Sequence, residues 1–158
     1  MNIELFHDSL LNFAGHLRPP TRSPFIPLVR LAQSHGVEVE LRFYSAEKRR
    51  EAQTELNPLQ PRILLYRRSD GDGVMTLAPD NEHLLTHRER FSIAHELGHF
   101  FAFRKYGALP VTKKESPQEY RKQEACMDHF AQSLLVPDWL AQFWLMSVSG
   151  TKQYHWMI

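Results

Sequence analysis

An α+β fold, with helices packed on a three-stranded sheet, is the architecture this chain predicts, and three observations carry it. Residues 37–43 alternate Val37, Val39, Leu41 and Phe43 with Glu38, Glu40 and Arg42, and a period of two marks a half-exposed strand. RILLYRR (62–68) and VMTLAP (74–79) flank the turn signal SDGDG, so they read as a hairpin. On either side lie segments with apolar residues at helical spacing and recognisable helix starts. The expected organisation is one domain over 1–158: N-terminal helices 1–36, the sheet 37–80, a pair of helices within 86–136 and a C-terminal segment 137–158.

The N-terminal helices come first. Ile3, Phe6, Leu10, Phe13, Ala14 and Leu17 recur on one helical face, and Pro19 and Pro20 stop it. A second helix fits 23–35, with Ser23 as N-cap, Pro24 at the first helical position and Gly36 just past the end. Between the first strand and the hairpin runs SAEKRREAQTELNPLQP, a charged, proline-bounded excursion expected as a solvated loop or short surface helix. The third helix opens at the capping box Thr86-His-Arg-Glu89 and runs to about 104–106; the fourth opens at Ser116-Pro-Gln-Glu119 and stops before Pro137. After Pro137, Trp139, Leu140, Phe143, Trp144 and Met146 suit a last helix packed on the core.

Composition excludes several roles. A formal net charge of +1 gives no argument for nucleic acid or an anionic membrane as a direct partner. No apolar run approaches the roughly 18 residues a membrane span needs, and the N-terminus does not read as a secretory signal. Cys126 is the single cysteine, so no internal disulfide forms, which suits a cytoplasmic location.

The chemistry lies in FSIAHELGHFFAF (91–103), a nearly apolar segment that nevertheless holds His95, Glu96 and His99. Buried polar groups cost free energy unless something satisfies them. In a helix His95 and His99 stand side by side one turn apart, a spacing that lets two imidazoles reach one ion. Glu96 lies about 100° round the helix, free to address a water instead. Composition alone produces HExxH in a chain of this length on the order of a few per cent of the time, so a second signal is needed. The fourth helix supplies it. Glu124 and Asp128 share its apolar face with Ala131 and Leu135, where ionised groups need a partner or a metal. His95, His99 and Glu124 make a two-nitrogen, one-carboxylate set suited to zinc, with a position left open for water. Asp128, one turn beyond Glu124, is placed to accept the remaining N–H of a ligating histidine.

These residues carry a family resemblance. RFSIAHELGHFF followed by E-x-x-x-D-x-F-A-x-x-L-L-V-P resembles the ImmA/IrrE zinc metallopeptidases, on Arg90, Phe91, Ser92, Ala94, His95, Glu96, Gly98 and His99, and then on Glu124, Asp128, Phe130, Ala131, Leu134, Leu135 and Pro137. The resemblance reaches over roughly 23–140 and implies a small zincin-like metalloprotease domain. It also implies cleavage of a helix-turn-helix transcriptional repressor encoded nearby. Met127 replaces the family's usual alanine, a change expected to affect packing alone. Phe100 and Phe103 stand where relatives often have tyrosine and histidine.

The expected reaction is hydrolysis of a peptide bond by a zinc-bound water, with Glu96 taking and returning the proton. One zinc ion is expected, with manganese as the alternative. Tyr106, Tyr120 and His129 are the residue types able to stabilise an oxyanion, and Cys126 is expected to be a buried, inert thiol. Residues 74–79 offer a sheet edge to which an extended peptide could add, or an edge blunted by Asp72 and Pro79. The competing expectation is a regulatory protein-binding module whose metal site is structural or vestigial; Glu96 counts against it, since a structural site has no use for that carboxylate.

Overall fold

The computed structural model describes residues 7–18 and 25–136. Along the chain run α1 (His7–Leu17), α2 (Leu28–Ser34), β1 (Glu38–Tyr44), β2 (Gln53–Glu55), β3 (Arg62–Arg68) and β4 (Gly73–Thr76). A 3₁₀ turn (Pro79–Leu84) follows, then α3 (His87–Tyr106) and α4 (Pro117–Leu135). The fold is α+β. The C-terminal segment 137–158, with its expected last helix, and the start of the first helix at Ile3 and Phe6 lie outside the described residues.

The sheet has four strands rather than three, in the order β2-β3-β1-β4. β1 is central, parallel to β3 with Leu41 opposite Leu65, and antiparallel to β4 with Leu41 opposite Met75. The alternation of residues 37–43 holds on the core side, where Val37, Val39 and Leu41 are buried. Glu40 is also buried, but it accepts bonds from Arg62 at 2.9 Å and Arg42 at 3.2 Å. Such pairing is what lets a carboxylate sit within a sheet.

Two expectations fail here for identifiable reasons. β3 and β4 do not form a hairpin; both pair with β1. The SDGDG segment instead passes over the end of β1, where Tyr44 accepts the Ser69 N–H at 2.9 Å and Asp72 accepts the backbone N–H of Ser45 at 2.9 Å. A turn signal shows that the chain reverses, not which strand it returns beside. The excursion 45–61 is not wholly loop or surface helix either, because Gln53–Glu55 forms β2 antiparallel to β3. Three polar residues carry no period that could announce a strand; the open edge of β3 recruits them.

α2 starts later than expected. Pro27 is its N-cap, in extended conformation, and Ser23 and Pro24 lie outside the described residues. A proline disfavours helical geometry in the residue before it, so Ile26 stays out of the helix and is buried. Arg90 then donates to the Ile26 carbonyl at 2.7 Å and to Glu82 at 2.6 Å, while Glu82 accepts the Val29 N–H. Gly36 does follow the helix end, at φ +78°.

α3 begins as its capping box predicts: the Thr86 hydroxyl accepts from Glu89 N and the Glu89 carboxylate from Thr86 N. Glu89 also takes a two-pronged bond from Arg67, at 2.5 and 2.9 Å, fastening α3 to β3. Burial alone would push the Glu89 carboxyl up, but Arg67 and the Thr86 backbone bring it below its usual range. Gly107, at φ +67°, ends the helix. Ser116 caps α4, and Pro117 opens it.

α3 and α4 then approach very closely at Gly98. A Cβ there would meet Met127 Sδ at 2.7 Å and a Phe130 ring carbon at 3.0 Å. Met127, the departure from the family pattern, thus fills the space a missing side chain leaves, and it is fully buried. Gly98→Ala should therefore cost about 1–3 kcal/mol through overpacking, read as a fall of several degrees in melting temperature. An unchanged melting temperature would show that the helices are not held at this separation.

Candidate metal centre

The close approach of α3 to α4 sets two histidines of one helix against a carboxylate of the other. His95 and His99 stand with ring centroids 5.2 Å apart. Glu124 puts one oxygen 2.5 Å from His95 Nε2 and the other 3.3 Å from His99 Nε2. One ligand atom from each of the three residues lies within 4.8 Å of the others. Both imidazoles turn Nε2 to the same carboxylate, and two nitrogens with one carboxylate suit a borderline-soft divalent ion. The donor set fits a metal.

Asp128, one helical turn after Glu124, lies 2.8 Å from His95 Nδ1. With Nδ1–H donated to Asp128, Nε2 is the nitrogen that faces Glu124 and would meet an ion. The structure brings together the four residues that the helical faces pointed to.

Glu96 is buried beside the triad and does not join it. Its carboxylate accepts a short hydrogen bond from the Thr54 hydroxyl, which also lies 3.2 Å from the Glu96 carbonyl oxygen. Thr54 belongs to β2, so sequence reading missed it. A polar threonine inside a charged excursion gives no signal of its own. Burial pushes the Glu96 carboxyl above its usual range, only partly opposed by His99, Thr54 and His95.

The other candidates separate cleanly. A cleft of about 720 Å³ contains His95, Glu96, Glu124 and Asp128 in its wall, together with Tyr120 but neither Tyr106 nor His129. His129 instead stacks on His7, with ring centroids 5.3 Å apart. Cys126 is buried, and burial raises its thiol to about 11, the inert group expected. The edge strand β4 contributes nothing to the cleft, which is lined on the sheet side by residues of β1, the segment before β2, and β3.

The charges of the triad act on one another. Burial works against a charged His95, but bonds to Asp128 and Glu124 prevail and raise its pKa from 6.5 to about 10. Burial likewise pushes Glu124 up, yet hydrogen bonds from His95 and His99 bring it from 4.5 to about 2. A raised histidine contributes stability that is complete below 6.5 and lost as pH rises through about 10. A lowered glutamate contributes stability complete above 4.5 and lost as pH falls through about 2. Both contributions are therefore whole between 4.5 and 6.5. With the His95 pKa raised, an ion binding at pH 8 would displace its proton. Titration calorimetry with zinc, in two buffers of different ionisation enthalpy, should show about one proton released per ion. Zinc binding without proton release at that pH would contradict the assignment of His95.

Residues 74–141 match the family model described as Peptidase_M78, the IrrE N-terminal-like domain. The matched segment takes in β4, α3 and α4, and with them His95, Glu96, His99, Glu124 and Asp128; the earlier part of the resemblance, over 23–73, lies outside it. No curated protein and no solved structure matched the chain. Over residues 74–141 the chain is thus similar to the IrrE N-terminal-like domain of the Peptidase_M78 family.

Proposed function

We propose that this protein is a zinc-dependent endopeptidase, in which His95, His99 and Glu124 hold the metal and Glu96 is the general base. The observation that carries the reading is the convergence of the two Nε2 atoms on Glu124, with a second, non-ligating carboxylate, Glu96, buried beside them. A structural metal site gains nothing from Glu96. Manganese would fit the same donors less well, because imidazole nitrogen favours zinc.

The bound metal supplies Lewis-acid activation of a water and of the scissile carbonyl. The chain's own residues do the rest. Glu96 accepts the proton of the attacking water and hands it to the departing amine. Its burial helps, because a carboxylate less stable in its charged form takes a proton more readily. Thr54 fixes the direction in which that carboxylate points. Asp128 holds the His95 ring and its tautomer. Tyr120, one turn before Glu124 on α4, lines the same cleft and is the residue type able to donate to a developing oxyanion.

The substrate would lie extended, since only an extended segment presents its carbonyl to the site. The edge available for main-chain pairing beside Glu96 is the outer side of β2, not β4. The resemblance to ImmA/IrrE proteins points to a helix-turn-helix repressor encoded nearby, cut in the mobile linker between its domains, and hence to a cytoplasmic role in transcription regulation. Among the described residues no helix is long and apolar enough to cross a membrane.

Glu96→Gln should retain the metal and the fold while hydrolysis falls by about 10²–10⁴-fold. Asp128→Ala should weaken zinc binding by about 10–100-fold with all three ligands still present. The neighbouring repressor, co-expressed with the parent or with Glu96→Gln and sized by mass spectrometry, should be cut once by the parent alone. Intact repressor with both proteins, zinc and manganese each supplied, would favour a regulatory binding module; cutting by both would reveal a contaminating protease.

A further inference from the structure

Away from the triad the same cleft changes character. Its wall also includes Tyr44, Tyr66, Arg49, Arg50 and Arg88. The Arg50 guanidinium lies over two aromatic faces, 5.6 Å from the Tyr44 ring centre and 5.8 Å from that of Tyr66. The two rings meet edge to face at 6.4 Å. Packing against ring faces orients a guanidinium while leaving its N–H donors unspent. Among the described residues, no carboxylate is ion-paired with Arg49, Arg50 or Arg88. Arg67 and Glu89 cancel each other in their two-pronged bond, which leaves Arg49, Arg50 and Arg88 as the other arginines of the cleft wall.

We propose that this arginine and tyrosine wall is the subsite for an acidic side chain of the peptide substrate, with Arg50 the specificity-determining residue. The proposal rests on the peptidase reading of the cleft and names the substrate class that reading leaves open. A carboxylate matches the guanidinium fork with two parallel bonds, and the tyrosine rings shelter the methylene stem that carries it. Charge also orients the chain. Glu96, Glu124 and Asp128 gather around the histidines, so an acidic residue would be repelled there and drawn to Arg50, leaving a neutral peptide bond for the triad.

The test uses zinc-loaded protein carrying Glu96→Gln, so that nothing is consumed, and short extended peptides that differ in one residue. That residue, glutamate, glutamine or lysine, is moved along an otherwise neutral frame, and binding is read by fluorescence anisotropy. At one position glutamate should bind about tenfold more tightly than glutamine, and added salt should shrink the difference. Arg50→Gln, which keeps much of the stem, should abolish the preference at an unchanged melting temperature. Arg50→Lys should keep part of it, and Arg50→Glu should reverse it towards lysine. Equal binding of glutamate and glutamine peptides at every position would overturn the proposal, as would a preference that survives Arg50→Gln. So would a DNA oligonucleotide that displaces acidic and neutral peptides alike through Arg50. Hydrolysis by the parent is scored separately. An Arg50-dependent acid preference without cutting sinks the peptidase reading and keeps the subsite; cutting without acid preference does the reverse.

Discussion

Glu124 stands between two histidines of a neighbouring helix, and most of the molecule is arranged so that it can. A helix as apolar as α3 tolerates His99 and Glu96 in its buried face only because each finds a partner from elsewhere in the fold. α4 delivers the carboxylate, and the contact at Gly98 lets α4 come close enough to do so. Arg67 and Glu89 fasten the start of α3 to β3, while Arg90 and Glu82 fasten it to the segment before α2. Each of these is a polar bond near one end of the helix that carries the site. Together they hold a rigid ligand pair in front of a rigid carboxylate, the preorganisation a metal centre needs.

Charge and placement go together at the triad. His95 is held as a cation by Asp128 and Glu124, and Glu124 as an anion by the two histidines. Asp128 lies 2.8 Å from His95 Nδ1, which leaves Nε2 facing Glu124.

How much of this was legible depended on whether a residue's partner lies within its own helix or across the fold. His95, Glu96 and His99 are visible from spacing along one helix, and Glu124 and Asp128 from the apolar face of another. The helix starts at Thr86 and Ser116 are visible from their capping residues. Thr54 was not legible, because a short polar strand exists only through its pairing with β3. The same holds for the sheet order. The turn at 69–72 announces a reversal, but the preference of β4 for β1 over β3 is a tertiary outcome. Arg50 lay hidden in the same way, its charge read as a solvated run until Tyr44 and Tyr66 were seen to meet beneath it. The excursion that looked least structured supplies both the threonine bonded to Glu96 and the arginine that lies over Tyr44 and Tyr66.

The central claim is that α3 and α4 jointly coordinate one divalent ion. X-ray absorption at the zinc edge of the loaded protein tests it most directly. Two histidine nitrogens and one carboxylate oxygen should appear at about 2.0–2.2 Å with a light-atom solvent ligand and no sulfur, and Glu124→Ala should lose one protein oxygen while both imidazoles remain. A spectrum without imidazole scattering, or one unchanged by Glu124→Ala, would contradict the account.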